Sequence, residues 1–384
     1  SQAFYDVLSR MTVYVNADEL IVGNQAQWPK ASPIYPEYST DWLEAELNGT
    51  PFFPDKRPGD KFYYTQEDKD KILECVDYWK GKSLYENLRK TLPEKINQAW
   101  DANVIDDTWV SAAGLGNVIV DYKGVVDKGL SDVMRRIENK LKRLDPREPG
   151  NTRKRWFLEA ALQGNQAVVM FSGRIADCCK EQAEQEKDET RRRELLKLED
   201  ICRNVPLNPA RTFHEAVQSI YMILLAVHLE SNGHAISLGR FDQYVYPYYK
   251  RDLEEGRITR EEALEIVECF FIKCNELNKL RSWPDTEFFL GYQMFINLAI
   301  AGQTVDGKDA TNEVSHLCVE ACENVRLFTP SVSIKWFEGT SDGFMMKALK
   351  AAQRHQGGQP AFYNDKAFIR TLKNMGIAEE DRVD

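Results

Sequence analysis

Helical periodicity dominates the hydrophobic pattern of this chain of 384 residues. Three helix-like segments open with a threonine placed three residues before a carboxylate, which is the pattern of an N-terminal capping box. These threonines are Thr65, Thr212 and Thr259. The segment after Thr212 is apolar on almost every side as far as Val227. A helix of that kind is typical of a protein core, so we predict a helix-rich chain with this helix buried.

Strand-like segments are fewer and shorter than helical ones. We predict strands over residues 19–22, 294–300 and 331–337, each of which is followed closely by a glycine. A helical pattern over residues 312–326 separates the last two. The order strand, helix, strand favours a parallel crossover unit, and therefore α/β organisation in the C-terminal half.

Two prolines, Pro206 and Pro209, mark the most plausible boundary along the chain. We predict a mainly helical region over residues 1–205. The α/β region is then expected over residues 206–384. Neither region contains an internal repeat or a low-complexity linker.

The charge pattern disfavours several classes of partner. Fifty basic and sixty acidic residues give a formal net charge of −10, and the two signs are interspersed. Such a surface argues against nucleic acid and against an anionic membrane. The longest apolar run, residues 220–227, is far shorter than the roughly 20 residues of a membrane-spanning helix, and no signal-like leader precedes it. We therefore expect a cytoplasmic protein.

The cysteines do not form a recognisable metal or redox motif. There are eight of them, and no pair has the Cys-x-x-Cys spacing of zinc or thiol–disulfide sites. We expect all eight to be reduced and buried, with the role of small apolar residues, and we expect no metal site.

The most informative segment covers residues 230–244, directly after the apolar helix. It reads Glu-Ser-Asn-Gly-His-Ala-Ile-Ser-Leu-Gly-Arg-Phe-Asp-Gln-Tyr, a density of polar and charged groups that core packing does not require. This segment resembles a signature of the glycyl radical enzymes, the pyruvate formate-lyase superfamily, and especially the branch with glycerol and diol dehydratases and choline lyase. Six further segments resemble the same branch in the same order, namely residues 18–24, 32–38, 77–81, 120–122, 302–312 and 358–365.

The resemblance implies a ten-stranded α/β barrel of the pyruvate formate-lyase type, wrapped by helices and enclosing the substrate. Residues 1–205 would supply outer helices, and residues 206–384 the first part of the barrel with substrate-cavity residues. The family's cysteine loop, similar to Gly-Cys-Val-Glu, and its glycine loop, similar to Arg-Val-x-Gly-Tyr, do not occur in the sequence. We therefore expect the N-terminal half of a longer enzyme, with both radical residues beyond Asp384, no catalytic residue among those present, and no activity from this half alone.

Two departures from the family pattern bear on the substrate. Asn117 falls where glycerol-type enzymes carry a histidine and choline lyase carries an aspartate, and Ala235 replaces a serine that holds a substrate hydroxyl. A site loses affinity heavily when buried polar groups of a ligand lack partners, so glycerol is not expected to be the substrate. Asn117 is expected to line the cavity through its amide, although an asparagine in a turn that satisfies local backbone is the simpler alternative.

Three further positions complete the expected substrate-binding set. His234 and Phe295 match a histidine and an aromatic residue of the family cavity, and Trp109 is expected to close the same pocket. The alternatives are a structural hydrogen bond for His234 and ordinary core packing for Phe295. Arg240 and Asp242 are expected to form an internal ion pair or hydrogen-bond network rather than to react.

The resemblance implies a radical lyase or dehydratase that cleaves a C–O, C–N or C–S bond of a small polar substrate. Two alternatives stay open: a carbon–carbon lyase that forms formate, like formate C-acetyltransferase, and an inactive relative that binds a partner. No bound metal or organic cofactor is expected. The glycyl radical would be installed by a separate radical-SAM activating enzyme, and a homodimer is a further expectation from the family.

Overall fold

The structure is a computed structural model that describes residues 1–29, 31–47, 55–59, 61–105, 114, 116–355 and 357–378. Its helices are α1 Gln2–Arg10, α2 Asp41–Leu47, α3 Gln66–Trp79, α4 Leu84–Thr91, α5 Glu94–Asp101, α6 Tyr122–Arg143, α7 Asn151–Gln185, α8 Glu189–Asn204, α9 Phe213–Ser231, α10 Phe241–Glu254, α11 Arg260–Glu276, α12 Trp283–Phe288, α13 Glu313–Val325, α14 Asp342–His355 and α15 Asp365–Asn374. Its strands are β1 Val118–Ile119, β2 Ile236–Ser237, β3 Gly239–Arg240, β4 Asn297–Ala301, β5 Ser331–Trp336 and β6 Ala361–Asn364. The predicted helix-rich α/β organisation is confirmed.

Helix α9 is the centre of the larger hydrophobic core. It packs against α6, α7, α8, α10 and α11. Its side chains from Phe213 to Ala226 are all buried, which confirms the prediction of a core helix. Around α9, residues from both sides of Pro206 pack in one core. Full burial of each large aliphatic side chain in it contributes about 1.5–3 kcal/mol to stability.

The predicted helix starts are confirmed at Thr65 and Thr259, where both halves of the capping box are present. Thr212 also caps its helix, because its hydroxyl accepts the N–H of Glu215 at 3.2 Å. The second hydrogen bond of the predicted capping box, from the backbone N–H of Thr212 to the carboxylate of Glu215, is not formed. The carboxylate of Glu215 accepts from the backbone N–H and the guanidinium of Arg211 instead.

The predicted strand over residues 19–22 is not a strand in the structure. Val22 lies beside α9, and Gln218 supplies the hydrogen bonds that a neighbouring strand would make. The amide oxygen of Gln218 accepts the N–H of Val22 at 2.9 Å, and its amide nitrogen donates to the carbonyl oxygen of Val22 at 2.8 Å. A single buried side chain therefore takes the place of a sheet partner.

The described strands form two parallel sheets. Strands β1 and β2 pair with each other, and β3, β4, β5 and β6 pair in chain order. Helices α13 and α14 connect β4 to β5 and β5 to β6, which confirms the predicted parallel crossover. On the helix-covered face of this sheet, Leu298, Ile300, Val332 and Ile334 are fully buried. On the opposite face, the side chains of Asn297, Ala299, Ser331, Ser333 and Lys335 are exposed or partly buried.

Strand β4 begins at Asn297 and not at Met294, where the sequence predicted it to start. The backbone at Phe295 has φ +56°, in the left-handed region, and a strand cannot pass through that conformation. The prediction of β5 is confirmed within one residue.

The cysteine prediction is partly wrong. All eight are free, as expected, but Cys75 is exposed. Cys178 and Cys269 are partly buried. The fully buried thiols are Cys179, Cys202, Cys274, Cys318 and Cys322.

Among the residues that the structure describes, no helix has both the length and the apolar character of a membrane-spanning segment.

Candidate functional site

The predicted substrate-binding residues come together at the amino ends of parallel strands. Asn117 directly precedes β1, His234 and Ala235 directly precede β2, and Phe295 lies two residues before β4. Trp109 lies outside the described residues. The fold therefore brings Asn117, His234, Ala235 and Phe295, which are up to 178 residues apart in sequence, into one row at the same end of the strands.

Three members of this row share an uncommon backbone conformation. The φ angles are +57° at Asn117, +53° at Ala235 and +56° at Phe295. A residue with a Cβ atom pays about 1–2 kcal/mol for the left-handed region, and asparagine alone of these three tolerates it well. Backbone strain of this kind persists where surrounding contacts enforce it, and it clusters at functional sites.

Hydrogen bonds along the row enforce these conformations. The N–H of Asn117 donates to the carbonyl oxygen of His234 at 3.0 Å, and the N–H of Ala235 donates to the carbonyl oxygen of Met294 at 2.7 Å. Each segment is thus tied to the next by main-chain bonds, immediately before the strands begin. Main-chain hydrogen bonds therefore connect the three separate segments that form the row.

A glycine allows the first two segments to approach each other. A Cβ atom placed on Gly116 would lie 2.0 Å from the carbonyl oxygen of His234, well inside contact distance. Only glycine fits this position, which brings the backbone before β1 against the backbone before β2. The Gly114-Leu-Gly116 sequence was a signal of this contact that the sequence reasoning missed.

His234 is half-buried at the middle of the row. Its burial, together with the positive charges of Lys279 and Arg281, lowers its pKa to about 4. The imidazole is therefore neutral near pH 7, with one nitrogen able to donate a hydrogen bond and the other able to accept one. Neutral imidazole suits recognition of a hydroxyl group.

Phe295 borders the row with its ring only partly buried. Its ring centroid lies 5.4 Å from that of Phe289 in an edge-on arrangement, and 5.8 Å from the guanidinium carbon of Arg281. Asn117 is exposed. The row thus presents an amide, an imidazole, a methyl group and an aromatic ring on an open side of the fold.

Lys279 and Arg281 were not among the predicted site residues. They follow α11 on an extended segment, and both act electrostatically on His234. The alternation Lys-Leu-Arg over residues 279–281 was the available signal, since residues two apart in extended backbone share a face. No sequence periodicity indicates that this segment reaches the row.

Arg240 and Asp242 both bond to the backbone of Ala301, at the carboxyl end of β4. The guanidinium of Arg240 donates to the carbonyl oxygen of Ala301 at 2.7 Å. The carboxylate of Asp242 accepts the backbone N–H of Ala301 at 2.8 Å. Asp242 also accepts from the hydroxyl of Ser315 at 2.5 Å. Burial raises the pKa of Asp242. These contacts agree with the expected structural network, at the strand end opposite the row.

The row lies on an open surface of the described residues rather than inside a closed cavity. A cleft of about 650 Å³ is lined by Asn278, Trp283, Tyr292 and Gln293 among other residues, and Asn117, His234, Ala235 and Phe295 are not part of its lining. Within the described ranges, no group of three or more histidine, cysteine, aspartate or glutamate side chains is arranged to hold a metal ion.

The chain belongs to the pyruvate formate lyase-like family, whose match covers residues 1–384. Relatives that match the same residues confirm the resemblance to glycyl radical enzymes of the dehydratase and lyase branch.

Known relatives match over the same span. A probable dehydratase, YbiW, of Escherichia coli K12 is 32% identical over 98% of this chain and 46% of its own length. The (2S)-3-sulfopropanediol dehydratase of Klebsiella oxytoca is 29% identical over 100% of this chain and 47% of its length. A solved structure described for 1,2-propanediol dehydration in Roseburia inulinivorans has a TM-score of 0.95 and 38% identity, over 100% of this chain and 47% of that one. The chain spans about half the length of these relatives.

Proposed function

We propose that the complete protein is a glycyl radical enzyme that removes a leaving group from a small polar substrate. The observation that carries this proposal is the row formed by Asn117, His234, Ala235 and Phe295 at the amino ends of the strands. Family relatives whose names specify dehydration support the reaction class.

The chemistry of the proposed reaction is an internal elimination. A thiyl radical takes a hydrogen atom from the carbon that bears a hydroxyl group, and the neighbouring substituent then leaves with its bonding electrons and a proton. The hydrogen atom returns to the product radical, so a 1,2-diol gives an aldehyde and water. This chain contributes the positioning of the hydroxyl-bearing carbon, for which neutral His234 and the Asn117 amide are suited.

A radical survives only where water and stray hydrogen donors are excluded. We therefore propose that the open side of the row is covered by the rest of a ten-stranded α/β barrel, of which residues 206–384 form the first part and residues 1–205 the outer helices. The radical cysteine and glycine are proposed to lie outside these 384 residues. This half alone is then inactive.

The remaining expectations follow from the same assignment. A separate radical-SAM activating enzyme installs the radical, and the protein itself binds no metal or organic cofactor. We further propose a cytoplasmic protein that can form a homodimer, without a nucleic acid or membrane partner.

Glycerol is not the proposed substrate. Ala235 has a methyl group where a hydroxyl partner for the substrate is expected, and the exposed Asn117 stands in the place of a histidine. A substrate hydroxyl left without its partner at Ala235 would cost affinity, because a buried polar group without a partner is expensive.

The experiment is anaerobic activation of the complete protein with a radical-SAM activating enzyme, followed by incubation with separate substrates and product detection by mass spectrometry. The substrates are 1,2-propanediol, glycerol, (2S)-3-sulfopropanediol, choline, and pyruvate with coenzyme A. Elimination from one of the first four compounds, with glycerol the poorest polyol, supports the proposal. Formate from pyruvate would identify the carbon–carbon lyase instead, and a failure to form any radical would indicate an inactive relative.

A further inference from the structure

A buried ion pair from the N-terminal region contacts the segment that leads from α11 to α12. Arg57 is fully buried and Glu46 is 7% exposed, and the Arg57 guanidinium donates to the Glu46 carboxylate at 2.7 Å. Glu46 belongs to α2. Arg57 lies 224 residues before Arg281, which it contacts on this segment. The pair therefore joins two distant parts of the chain.

Both members of the pair bond to this segment. The guanidinium of Arg57 donates to the carbonyl oxygen of Arg281 at 2.7 Å and to the hydroxyl of Thr286 at 3.3 Å. The second carboxylate oxygen of Glu46 accepts the backbone N–H of Trp283 at 2.7 Å. One ion pair thus fixes the main chain of the segment at two points, two residues apart.

Two more side chains of the N-terminal region bond to the same segment. The amide nitrogen of Gln25 and the hydroxyl of Ser32 donate to the carbonyl oxygen of Asn278, at 3.1 and 2.9 Å. The hydroxyl oxygen of Ser32 accepts the N–H of Leu280 at 3.1 Å. The N-terminal region therefore supplies hydrogen bonds to the segment at several places along its length.

The side chain of Arg281 continues the contact to the row. Its guanidinium donates to the carbonyl oxygen of Gln293 at 3.1 Å, and its guanidinium carbon lies 5.8 Å from the ring centroid of Phe295. Between these two residues, Met294 accepts the N–H of Ala235 at its carbonyl oxygen. A continuous path of hydrogen bonds and ring contacts therefore connects the buried ion pair to the row.

The physical properties of a buried ion pair suit a role in geometry. Such a pair adds little to stability, because desolvation of the two charges offsets most of their attraction. A guanidinium, however, holds several acceptors at fixed angles through its planar fork of N–H donors. A substrate site needs its supporting contacts fixed in this way, since a displacement of about 1 Å can lower a rate by about 100-fold.

We propose, building on the proposed function, that Glu46 and Arg57 are positioning residues for the substrate site, and that they act on the row through Arg281. They hold the main chain from which the Arg281 side chain extends to the backbone before β4. This support contributes to the contacts that keep Ala235 and Phe295 at positive φ. Neither member of the pair takes part in bond cleavage.

Hydrogen–deuterium exchange of the complete protein, followed by mass spectrometry, tests this support without a substrate. Glu46→Gln removes the charge that orients the Arg57 guanidinium, and Arg57→Lys keeps the charge but loses the fork. In both variants the amides of Ala235 and Asn117 should exchange faster than in wild type by about 10-fold or more. The amides of β5 should be unchanged, whereas a role in folding alone would raise exchange there as well.

The matched control is Glu19→Gln. Glu19 is buried to a similar degree as Glu46, and its carboxylate accepts from the buried ammonium group of Lys273 at 2.8 Å. This pair also joins the N-terminal region to α11, but Lys273 lies inside the helix and not on the segment that Arg57 contacts. Glu19→Gln should leave exchange of the Ala235 amide at its wild-type rate.

A double variant covers the case in which the single variants do not fold. Replacement of a buried ion pair by apolar side chains of similar volume is often neutral for stability. Glu46→Met combined with Arg57→Met should therefore fold, with wild-type exchange in β5. Because the bonds to Arg281 and Trp283 are lost, the Ala235 amide should still exchange faster.

Kinetics tests the path through Arg281. The activated complete protein is supplied with 1,2-propanediol, (2S)-3-sulfopropanediol and choline, and kcat/KM is compared for the compound converted best, per glycyl radical counted by electron paramagnetic resonance. Glu46→Gln should lower kcat/KM by about 10–100-fold. In an Arg281→Gln background the same change should lower it by less than about 3-fold, because the path is already broken. Glu19→Gln should have the same effect in both backgrounds.

Two results would overturn the assignment. One is wild-type protection of the Ala235 and Asn117 amides in the folded variants, and the other is an equal effect of Glu46→Gln on kcat/KM in both backgrounds. If the activated wild-type protein converts none of the compounds, the proposed function itself has failed. Exchange then still decides whether Glu46 and Arg57 hold the row in place.

Discussion

Replacement of Ala235 by glycine should stabilise the protein, although the same change normally destabilises one. Ala235 has φ +53°, and its Cβ atom costs about 1–2 kcal/mol in the left-handed region. Glycine removes this cost but gives the unfolded chain more conformational freedom, which lowers the free energy of unfolding by about 0.4–1 kcal/mol. The expected net gain in the free energy of unfolding is roughly 0.5–1 kcal/mol.

The matched control is Ala160→Gly. Ala160 is half-buried like Ala235 but lies inside helix α7, where glycine costs about 1 kcal/mol relative to alanine. The two variants should therefore shift stability in opposite directions and differ by about 1.5–2 kcal/mol. Urea unfolding of wild type and both variants, followed by circular dichroism, measures the midpoints and slopes.

The reasoning is refuted if Ala235→Gly lowers the midpoint as far as Ala160→Gly does. That result would mean that the backbone before β2 is not strained. A gain in stability together with weaker turnover would indicate that the strained conformation is maintained for the site.

Three further predictions concern buried groups elsewhere. Gln218→Leu should destabilise the protein by about 2–4 kcal/mol in urea unfolding, because the N–H and the carbonyl group of Val22 both lose the partner that this amide supplies. Gln218→Glu keeps the acceptor for the Val22 N–H but loses the donor to the Val22 carbonyl oxygen. Wild-type stability in either variant would contradict the expectation. Burial lowers the pKa of the His228 imidazole from 6.5 to about 4. Between pH 6.5 and pH 4 the imidazole therefore binds a proton in the unfolded state but not in the folded state. The free energy of unfolding should fall as the pH decreases through this range, by up to about 3 kcal/mol from His228. His228→Leu should flatten that part of the profile, and an unchanged slope would show that the imidazole is already charged in the folded state. In native protein a maleimide reagent should label Cys75 first and leave Cys202, Cys274 and Cys318 protected, as peptide mass spectrometry of the timed products will show. Equal labelling would mean that the core opens readily.

Local sequence chemistry predicted much of the fold. The apolar segment after Thr212 became the central helix, and the strand–helix–strand pattern became β4, α13 and β5. These elements are decided by neighbours in sequence, through caps and periodicity. The failure at residues 19–22 has a different cause, because the hydrogen-bond partner of Val22 is Gln218, 196 residues away.

The candidate site was predicted only in part. Family motifs indicated His234, Ala235 and Phe295, but no local signal places alanine or phenylalanine at positive φ. That conformation depends on bonds between segments, such as the one from Ala235 to Met294. The approach of Arg281 to this row depends in the same way on long-range pairing, so sequence periodicity alone could not have found it.

The central claim is that this chain is part of a glycyl radical enzyme that acts on a small polar substrate. The most direct measurement is electron paramagnetic resonance of the complete protein after anaerobic treatment with a radical-SAM activating enzyme, before and after oxygen exposure. We expect a glycyl doublet that disappears in oxygen, with elimination product formed only by the sample that shows it. Turnover without a radical signal, or a stable radical without elimination from any diol or amine tested, would contradict the account.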